Sequence, residues 1–391
     1  MRILAIETSC DETALSIIES TEDTSPISFA VLANNVLSQI DMHKEYGGVF
    51  PAVAKREHAK ALVPLLRTTL NDAQLLNNLP TPTVMPESFT ALFPQEPELL
   101  QALPECLTWQ KPAIDAIAVT SGPGLEPALW VGINFAKALS TLWDLPLYPI
   151  NHMEGHIYSS VLEKNDEGYT VPNISFPALA LLISGGHTEL IHIEKFGAYT
   201  KIGETRDDAI GEAFDKVARL LGLEYPGGPK ISKLAAEARA ENLINDRVPT
   251  LPRPMIHSGD LHFSFSGIKT AVLYLTQKLG DLTIEDKKGI AREFENSVTE
   301  VLISKCKRAL QETNAQTLII GGGVSANTYI REHIQTLCDE LGVHAYIPER
   351  HLSTDNALMI GITALLKIKN GVQASAPETI RANGGLSLET H

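Results

Sequence analysis

Two histidines one helical turn apart are the residues of this sequence that are best spaced for chemistry. His152 and His156 follow Asn151, a typical helix N-cap residue, so both imidazoles are expected on one face of a helix. Such a pair can bind one metal ion, although a pair of hydrogen-bonded helix residues has the same spacing. A zinc-protease motif is excluded, because that motif needs Glu directly after the first His and this chain has Met153 there.

The carboxylate that could complete a metal site lies near the other end of the chain. Asp355 stands in a Ser-Thr-Asp-Asn run at the start of the last long apolar helix. Its alternative role is that of an acidic first-turn residue that interacts favourably with the helix dipole. Two imidazoles and one carboxylate leave coordination positions open for a substrate phosphate and suit Fe²⁺ or Zn²⁺ better than Mg²⁺.

Two glycine-rich turns favour an anionic ligand. Ser184, Gly185 and Gly186 lie between two strand-like segments, where glycine lets backbone N–H groups approach a phosphate, although a plain tight hairpin is the alternative. Residues 321–323 are three glycines between a buried strand and a helix, and Asn327 follows them. Because a helix N-terminus supplies positive potential, the two turns together predict a bound nucleotide.

A third candidate region is acidic. Residues 207–216 are rich in carboxylates and precede a Tyr-Pro-Gly-Gly-Pro turn at 225–229. Asp215 could bind ribose hydroxyls, and Gly228 could let the backbone approach a ligand. A solvated acidic helix face is the alternative interpretation.

The elements that would position these residues occur twice along the chain. Residues 2–19 and 177–194 each read as strand, polar turn and strand, and each half later has a strand, a glycine turn and a helix. This repetition predicts an α/β protein of two related lobes facing each other across a cleft lined by the glycine turns. We expect residues 1–158 with 356–391 in the N-terminal lobe and residues 159–355 in the C-terminal lobe.

Composition limits the class of protein. The 391 residues are 44% hydrophobic and 20% charged, which is typical of a globular α/β chain, and no apolar run approaches the roughly 20 residues of a membrane span. A strand-like segment beginning at Ile3 argues against a signal peptide. Four scattered cysteines indicate neither a disulfide framework nor a cysteine-based zinc site, so we expect a cytoplasmic protein without a membrane partner. A net charge of −15 excludes nonspecific coating of nucleic acid.

One segment departs from the repeated pattern. Residues 77–112 contain seven prolines, so no long regular element can form there. We interpret the segment as a surface insertion.

Six motifs, in order along nearly the whole chain, resemble those of the tRNA threonylcarbamoyladenosine transferase family, formerly called the O-sialoglycoprotein endopeptidase family. They are IETSCDET at 6–13, NHMEGH at 151–156, ISGGHT at 183–188, GEAFDK at 211–216, FSFSGIKT at 263–270 and GGGVSAN at 321–327. The insertion at 77–112 is the main part left out, and it interrupts none of the motifs.

The resemblance implies an actin, sugar-kinase and Hsp70-like fold with the nucleotide site in the cleft between the lobes. The activity it implies is transfer of a threonylcarbamoyl group from threonylcarbamoyl-adenylate to N6 of the adenosine beside the anticodon, at position 37, in tRNAs that read codons beginning with A. It implies one divalent metal ion, Fe²⁺ in preference to Zn²⁺. The partners it implies are tRNA, the adenylate, a paralogous subunit of the same fold and a small ATPase.

The resemblance also assigns roles to single residues. It implies that the metal ligands are His152, His156 and Asp355. The adenylate contacts would be Leu182, Ile183, Ser184, Gly185, Gly186, Asp215, Gly228 and Asn327. Residues near the reacting carbamoyl group would be Ser9, Asp11 and Glu12, with Asp11 and Glu12 as the candidate catalytic groups.

An acidic chain that binds tRNA would need a local basic cluster. Lys55, Arg56, His58 and Lys60 form the densest such cluster in the early part of the sequence. They could contact phosphates, or they could form an ordinary solvated helix face.

Two other classes of protein share parts of the pattern. A small-molecule kinase of the same fold would need carboxylates at both phosphate hairpins to hold Mg²⁺, whereas the first hairpin offers Glu7 and the second has Ser184. A noncatalytic scaffold of a tRNA-modification complex would not need two histidines and a carboxylate in a matched set. Metal analysis would therefore separate a scaffold from an enzyme.

Overall fold

The computed structural model describes residues 1–20, 26–85, 89, 93 and 96–389. The strands, in chain order, are β1 (Arg2–Glu7), β2 (Glu12–Ser20), β3 (Ile27–Ser38), β4 (Ala116–Gly122), β5 (Leu147–Asn151), β6 (Glu163–Lys164), β7 (Tyr169–Val171), β8 (Ala178–Ile183), β9 (Thr188–Lys195), β10 (Ala198–Glu204), β11 (Thr317–Gly321) and β12 (His344–Tyr346).

The α-helices in this part of the chain are α1 (Ile40–His43), α2 (Pro51–Asp72), α3 (Pro97–Ala102), α4 (Glu126–Trp143), α5 (His152–Ser160), α6 (Ile210–Leu220), α7 (Gly227–Ala240), α8 (Ser266–Leu279), α9 (Ile284–Thr313), α10 (Thr328–Leu341), α11 (Arg350–Ser353) and α12 (Ala357–Lys369). Short 3-10 helices are Lys44–Tyr46, Leu103–Thr108, Gly323–Ala326 and Pro377–Thr379. None of the helices within the described ranges has the length and apolar character needed to cross a membrane.

Two sheets share one topology. Their strand orders are β5-β4-β1-β2-β3-β7-β6 and β10-β9-β8-β11-β12. In each sheet the first three strands along the chain are antiparallel neighbours, and the next two are parallel to the first. The internal repetition expected from the sequence is therefore confirmed. Each sheet also has a third antiparallel strand, β3 or β10, that the sequence analysis did not predict.

The first compact unit comprises residues 1–173 and 355–387 and contains the seven-stranded sheet. Helices α2 and α4 share a core cluster with Leu4 and Ile6, whereas Ala5 lies beside α12. Because both faces of β1 are covered, its sequence is a continuous run of apolar residues and does not alternate between apolar and polar residues. The first boundary lies at 173 instead of the expected 158, because β6 and β7 pair with the sheet through β3. Asp355 belongs to this unit, as do both histidines.

The second unit comprises residues 174–354 with Leu388 and Glu389 and contains the five-stranded sheet. Its longest helix, α9, begins with a capping box in which Thr283 and Asp286 each accept a hydrogen bond from the other's backbone N–H at 3.1 Å. Phe294 of α9 packs edge-to-face on Phe214 of α6, with the ring centroids 4.9 Å apart. This aromatic contact holds α6 against α9.

The proline-rich insertion is packed into the first unit, which corrects its interpretation as a surface excursion. Leu99, Cys106 and Trp109 are buried in the core cluster that includes α2. The prolines do limit regular structure, since the described elements of the segment are short, the longest being α3 and a 3-10 helix of six residues each. Residues 86–88, 90–92 and 94–95 lie outside the described part of the chain.

Candidate active site

Helix α5 contains both histidines, and Asn151 caps its first turn. The Asn151 side chain accepts hydrogen bonds from the backbone N–H groups of Met153 at 2.9 Å and Glu154 at 3.3 Å. The predicted N-cap is confirmed, and the helix starts at His152. Both imidazoles are buried, His156 completely so.

Asp355 and the two histidines form a cluster that can hold a metal ion. The Asp355 Oδ1 atom lies 3.4 Å from His152 Nε2 and 3.1 Å from His156 Nε2. One ligand atom from each of the three residues lies within 4.8 Å of the others. The adjacent Asn356 is the N-cap of α12, because its side chain accepts from the N–H of Met359 at 3.1 Å. Asp355 therefore precedes the helix and is not a first-turn residue that complements its dipole.

The electrostatics of the cluster suit a cation. Burial alone would raise the pKa of the Asp355 carboxyl, but the charge of His152 and hydrogen bonds from both imidazoles hold that pKa well below its ordinary value. Burial opposes a charge on His152, yet the Asp355 and Glu7 carboxylates outweigh it and raise the pKa of this imidazole. The half-buried Asp355 carboxylate thus faces both imidazoles, and such a donor set fits Fe²⁺ or Zn²⁺.

Glu7 and Ser9 lie behind His152. The His152 Nδ1 atom is 3.2 Å from Glu7 Oε2 and 3.1 Å from Ser9 Oγ. The sequence analysis placed Ser9 near the substrate and considered Glu7 only as a ligand for Mg²⁺. A signal was present, because Glu7 is a carboxylate at the end of a fully buried strand and needs partners there.

Asp11 and Glu12 follow in the same turn. Asp11 is buried, and its carbonyl accepts from the N–H of Gln39 at 2.8 Å. Burial first, and then the charges of Asp355 and Asp11, raise the pKa of Glu12 to about 10. The surroundings of Glu12 therefore favour its protonated form.

His58 supports this turn from helix α2. Its Nε2–H donates to the Cys10 carbonyl at 2.9 Å, and its Nδ1 lies 2.7 Å from the Thr13 hydroxyl, which donates to it. Burial lowers the pKa of His58 to about 4, so the imidazole is neutral at physiological pH. His58 is thus a buried residue and not part of a basic surface.

The remaining residues of the basic cluster are paired with acids. Lys55 lies 3.2 Å from Glu96, and Arg56 and Lys60 lie 3.0 and 2.9 Å from the same oxygen of Glu57. These pairs favour the interpretation of the cluster as a solvated helix face.

The second unit contains a pocket of about 440 Å³. The apolar side chains of Phe214 and Pro226 line it, together with the polar residues Ser232 and Arg350. Four residues that the sequence analysis assigned to the adenylate line the same pocket, namely Gly185, Asp215, Gly228 and Asn327. Asp215 also fixes the pocket wall, because its Oδ1 accepts from the Gly227 N–H at 2.7 Å.

The two glycine turns have different structural requirements. A Cβ placed on Gly185 or Gly186 would meet no atom within 4 Å. At Gly322, where φ is +88°, a Cβ would lie 2.5 Å from the Ile183 carbonyl oxygen. Gly322 is therefore required by the fold, whereas Gly185 borders open space in the pocket.

The other residues predicted to contact the adenylate lie at the end of β8 and in the turn after it, and they are less accessible to a ligand. Leu182 and Ile183 are completely buried in β8, and neither lines the pocket. The Ser184 hydroxyl accepts from the His187 N–H at 3.1 Å and closes the turn.

Asn327 is held by three neighbours. Its side-chain oxygen accepts from the Ile330 N–H at 3.0 Å, and its amide nitrogen donates to Ser232 Oγ and Glu295 Oε1, both at 2.7 Å. Glu295 is buried and also pairs with Arg239. Sequence reasoning missed Glu295 because its position in a long helix carries no local signal.

Most of the acidic segment is structural. Asp207 accepts from the hydroxyls of Ser264 and Ser266 at 2.6 Å each and from the N–H groups of Phe265 at 2.8 Å and Ser266 at 3.2 Å, so it anchors the start of α8. Asp208 pairs with Lys216 at 2.7 Å. Asp215 is the residue of this segment that contacts the pocket together with Gly211 and Phe214.

The paired sheet topology defines the fold of the actin, sugar-kinase and Hsp70 class. A structure of full-length HypF in its phosphate- and nucleotide-bound form superposes with a TM-score of 0.52 at 12% sequence identity, covering 95% of this chain and 47% of that one. At this identity the likeness concerns the fold alone.

The chain belongs to the tRNA N6-adenosine threonylcarbamoyltransferase family, whose family model matches residues 30–79 and 96–362. A protein named tRNA N6-adenosine threonylcarbamoyltransferase from Acidovorax sp. (strain JS42) is 40% identical over 372 residues, covering 95% of this chain and 92% of that protein. One of the same name from Staphylococcus saprophyticus subsp. saprophyticus is 40% identical over 376 residues, covering 95% and 93%. The family resemblance seen in the motifs is thereby confirmed, and it makes the chain an acyl-group transferase.

Proposed function

We propose that this protein transfers a threonylcarbamoyl group from threonylcarbamoyl-adenylate to N6 of adenosine 37 in tRNAs that read codons beginning with A. The observation that carries the proposal is the convergence of His152, His156 and Asp355 in a chain of this family. The pocket beside Gly185 supplies a second, independent ligand site in the other unit.

The pocket is proposed to hold the adenylate. Gly185 and Gly228 leave room for a ligand to approach the backbone, and Phe214 offers an aromatic surface to the base. Asp215 lies where it can accept a hydrogen bond from a ribose hydroxyl. Both N–H groups of the Asn327 amide donate to protein acceptors. Its side-chain oxygen accepts one hydrogen bond, from Ile330, and therefore has a second lone pair for the ligand.

The metal ligands are proposed to be His152, His156 and Asp355, with Fe²⁺ as the preferred ion and Zn²⁺ as the alternative. When bound, the ion supplies a Lewis acid that draws charge from a phosphate or carbamoyl oxygen of the donor. The half-buried Asp355 carboxylate and the capped helix hold the two imidazoles in place.

The transfer forms a bond from N6 of adenosine to the carbamoyl carbon and breaks the bond from that carbon to the phosphate oxygen. The amine must lose one proton as AMP leaves. Burial and the charges of Asp355 and Asp11 raise the pKa of Glu12 and favour its protonated form. We assign Asp11 to orient the amine or to accept its proton.

Glu7 argues against a small-molecule kinase. One oxygen of its carboxylate accepts from the Ser9 N–H at 2.6 Å, and the other accepts from the Thr120 hydroxyl at 2.5 Å and contacts His152. Its oxygens are therefore occupied by the protein, and the carboxylate is not presented to Mg²⁺ as phosphotransfer in this fold would require.

Incubation of the purified protein with threonine, bicarbonate, ATP and tRNA, together with the synthase that makes the adenylate, tests the proposal. We expect the modified nucleoside by mass spectrometry, with further protein partners, a paralogous subunit of this fold and a small ATPase, increasing the yield. A scaffold would contain no stoichiometric metal and would give no product in any combination.

A further inference from the structure

Glu7 is a buried carboxylate of the first unit with both oxygens hydrogen-bonded. It is fully buried at the end of β1, and three protein groups surround its two oxygens. Ser9 donates its N–H to Oε1, whereas Thr120 donates its hydroxyl to Oε2. The third group is the Nδ1 atom of His152, 3.2 Å from Oε2.

The two ring nitrogens of His152 face different partners. Nε2 lies 3.4 Å from Asp355 Oδ1, on the side of the proposed metal, and Nδ1 faces Glu7 and Ser9. A metal ion can bind Nε2 only when the neutral ring carries its proton on Nδ1. An ionised carboxylate at Nδ1 accepts that proton's hydrogen bond and cannot donate one, so it selects this tautomer.

His156 provides an internal contrast. Its Nε2 also points at Asp355, at 3.1 Å, but its buried Nδ1 has no hydrogen-bond partner among the residues that the structure describes. A carboxylate behind the ring therefore orients His152, whereas the ring of His156 is held by its position in α5 and by Asp355.

We propose that Glu7 is a positioning residue that fixes the tautomer and orientation of His152 and thereby sets the affinity of the metal site. The inference rests on the proposed function, because it takes His152 as a metal ligand. Carboxylates behind a ligating histidine have this effect in metal sites generally, and their loss typically costs about 10- to 100-fold in metal affinity.

The Glu7→Gln variant tests the assignment with almost no change in volume. If the new amide oxygen faces the Ser9 N–H, the amide NH₂ faces His152 Nδ1 and stabilises the wrong tautomer. If the amide is turned round, its NH₂ meets the Ser9 N–H instead. The first arrangement favours the wrong tautomer, and the second keeps the proton on Nδ1 only by opposing two N–H donors. Both therefore make the metal-binding state less favourable, and we expect Zn²⁺ affinity, measured by competition with a chromophoric chelator, to fall about 10- to 100-fold.

Thr120→Val is the matched control. It removes the other donor to Oε2 and keeps the Glu7–His152 contact, so its loss of Zn²⁺ affinity should be clearly smaller. Circular dichroism and nucleotide affinity report whether each variant is folded. Zn²⁺ binding by Glu7→Gln within twofold of the unaltered protein would overturn the inference.

A second measurement needs no variant. Long-range ¹H–¹⁵N correlation spectra of the unaltered protein loaded with Zn²⁺ should show His152 protonated on Nδ1, and protonation on Nε2 would contradict the inference. Failure of the unaltered protein to bind Zn²⁺ or Fe²⁺ at all would overturn the proposed metal site and this inference together. Normal binding with an insensitive Glu7→Gln would overturn the inference alone.

Discussion

At the scale of single residues, the proposed metal site depends on one carboxylate that reaches two imidazoles. His156 is completely buried, and its Nε2 lies 3.1 Å from Asp355. Neither Glu7 nor Ser9 can replace His156 in the proposed metal site, because both face the far side of His152.

Replacing His156 with Ala should therefore remove most of the bound metal. We expect a loss of affinity larger than the about 10- to 100-fold that follows loss of an outer partner, and a parallel loss of transfer activity. Metal content by plasma mass spectrometry measures it, with exposed His257→Ala as the control. A full equivalent of metal in folded His156→Ala would show that the ligand is misassigned.

His58 should make the stability of the protein depend on pH. Its pKa is about 4 when folded and 6.5 ordinarily, so below pH 6.5 the unfolded chain binds a proton that the folded chain does not. The free energy of unfolding should fall by roughly 3 kcal/mol as the pH decreases from about 6.5 to 4. In His58→Gln this contribution should disappear from urea unfolding measured across that range. An unchanged pH dependence would contradict the assignment.

At the scale of elements, the turns after β8 and β11 contain glycine for different reasons. Gly185 borders the pocket, whereas Gly322 has a positive φ and lies against the backbone of Ile183. The same substitution should therefore lower ligand affinity at Gly185 and lower stability at Gly322.

Gly185→Val should fold normally and lose nucleotide affinity, because the new side chain enters the space a ligand needs. Gly322→Val should lower the free energy of unfolding by at least about 1–3 kcal/mol through backbone strain and a steric clash. Calorimetric titration with an adenine nucleotide and thermal unfolding measure the two effects. Unchanged affinity in Gly185→Val would place the nucleotide elsewhere.

Features that depend on residues close together in the sequence could be predicted from it. The repeated strand, turn and helix order, the N-cap Asn151 and the four-residue histidine spacing each depend on neighbours along the chain, and the structure has all three. Buried packing was not predictable in this way. Neither the packing of Trp109 nor the pairing of Glu295 with Asn327 leaves a pattern, because each depends on residues that are distant in sequence.

At the scale of the whole molecule, charge should decide how tRNA is bound. The chain has a net charge of −15, and Lys55, Arg56 and Lys60 all have acidic partners. We expect weak tRNA binding by the isolated chain, little changed in Arg56→Glu and strengthened by partner proteins that add basic surface. Fluorescence anisotropy at several salt concentrations measures it. Tight, salt-resistant binding by the chain alone would refute this expectation.

We expect tRNA modification by this protein to depend on its proposed metal ligands. The most direct measurement is mass spectrometry of tRNA nucleosides from cells depleted of the protein and then supplied with the unaltered chain or His156→Ala. We predict that N6-threonylcarbamoyladenosine disappears on depletion, returns with the unaltered chain and does not return with the variant. Persistence of the nucleoside after depletion, or its full return with folded His156→Ala, would contradict the account.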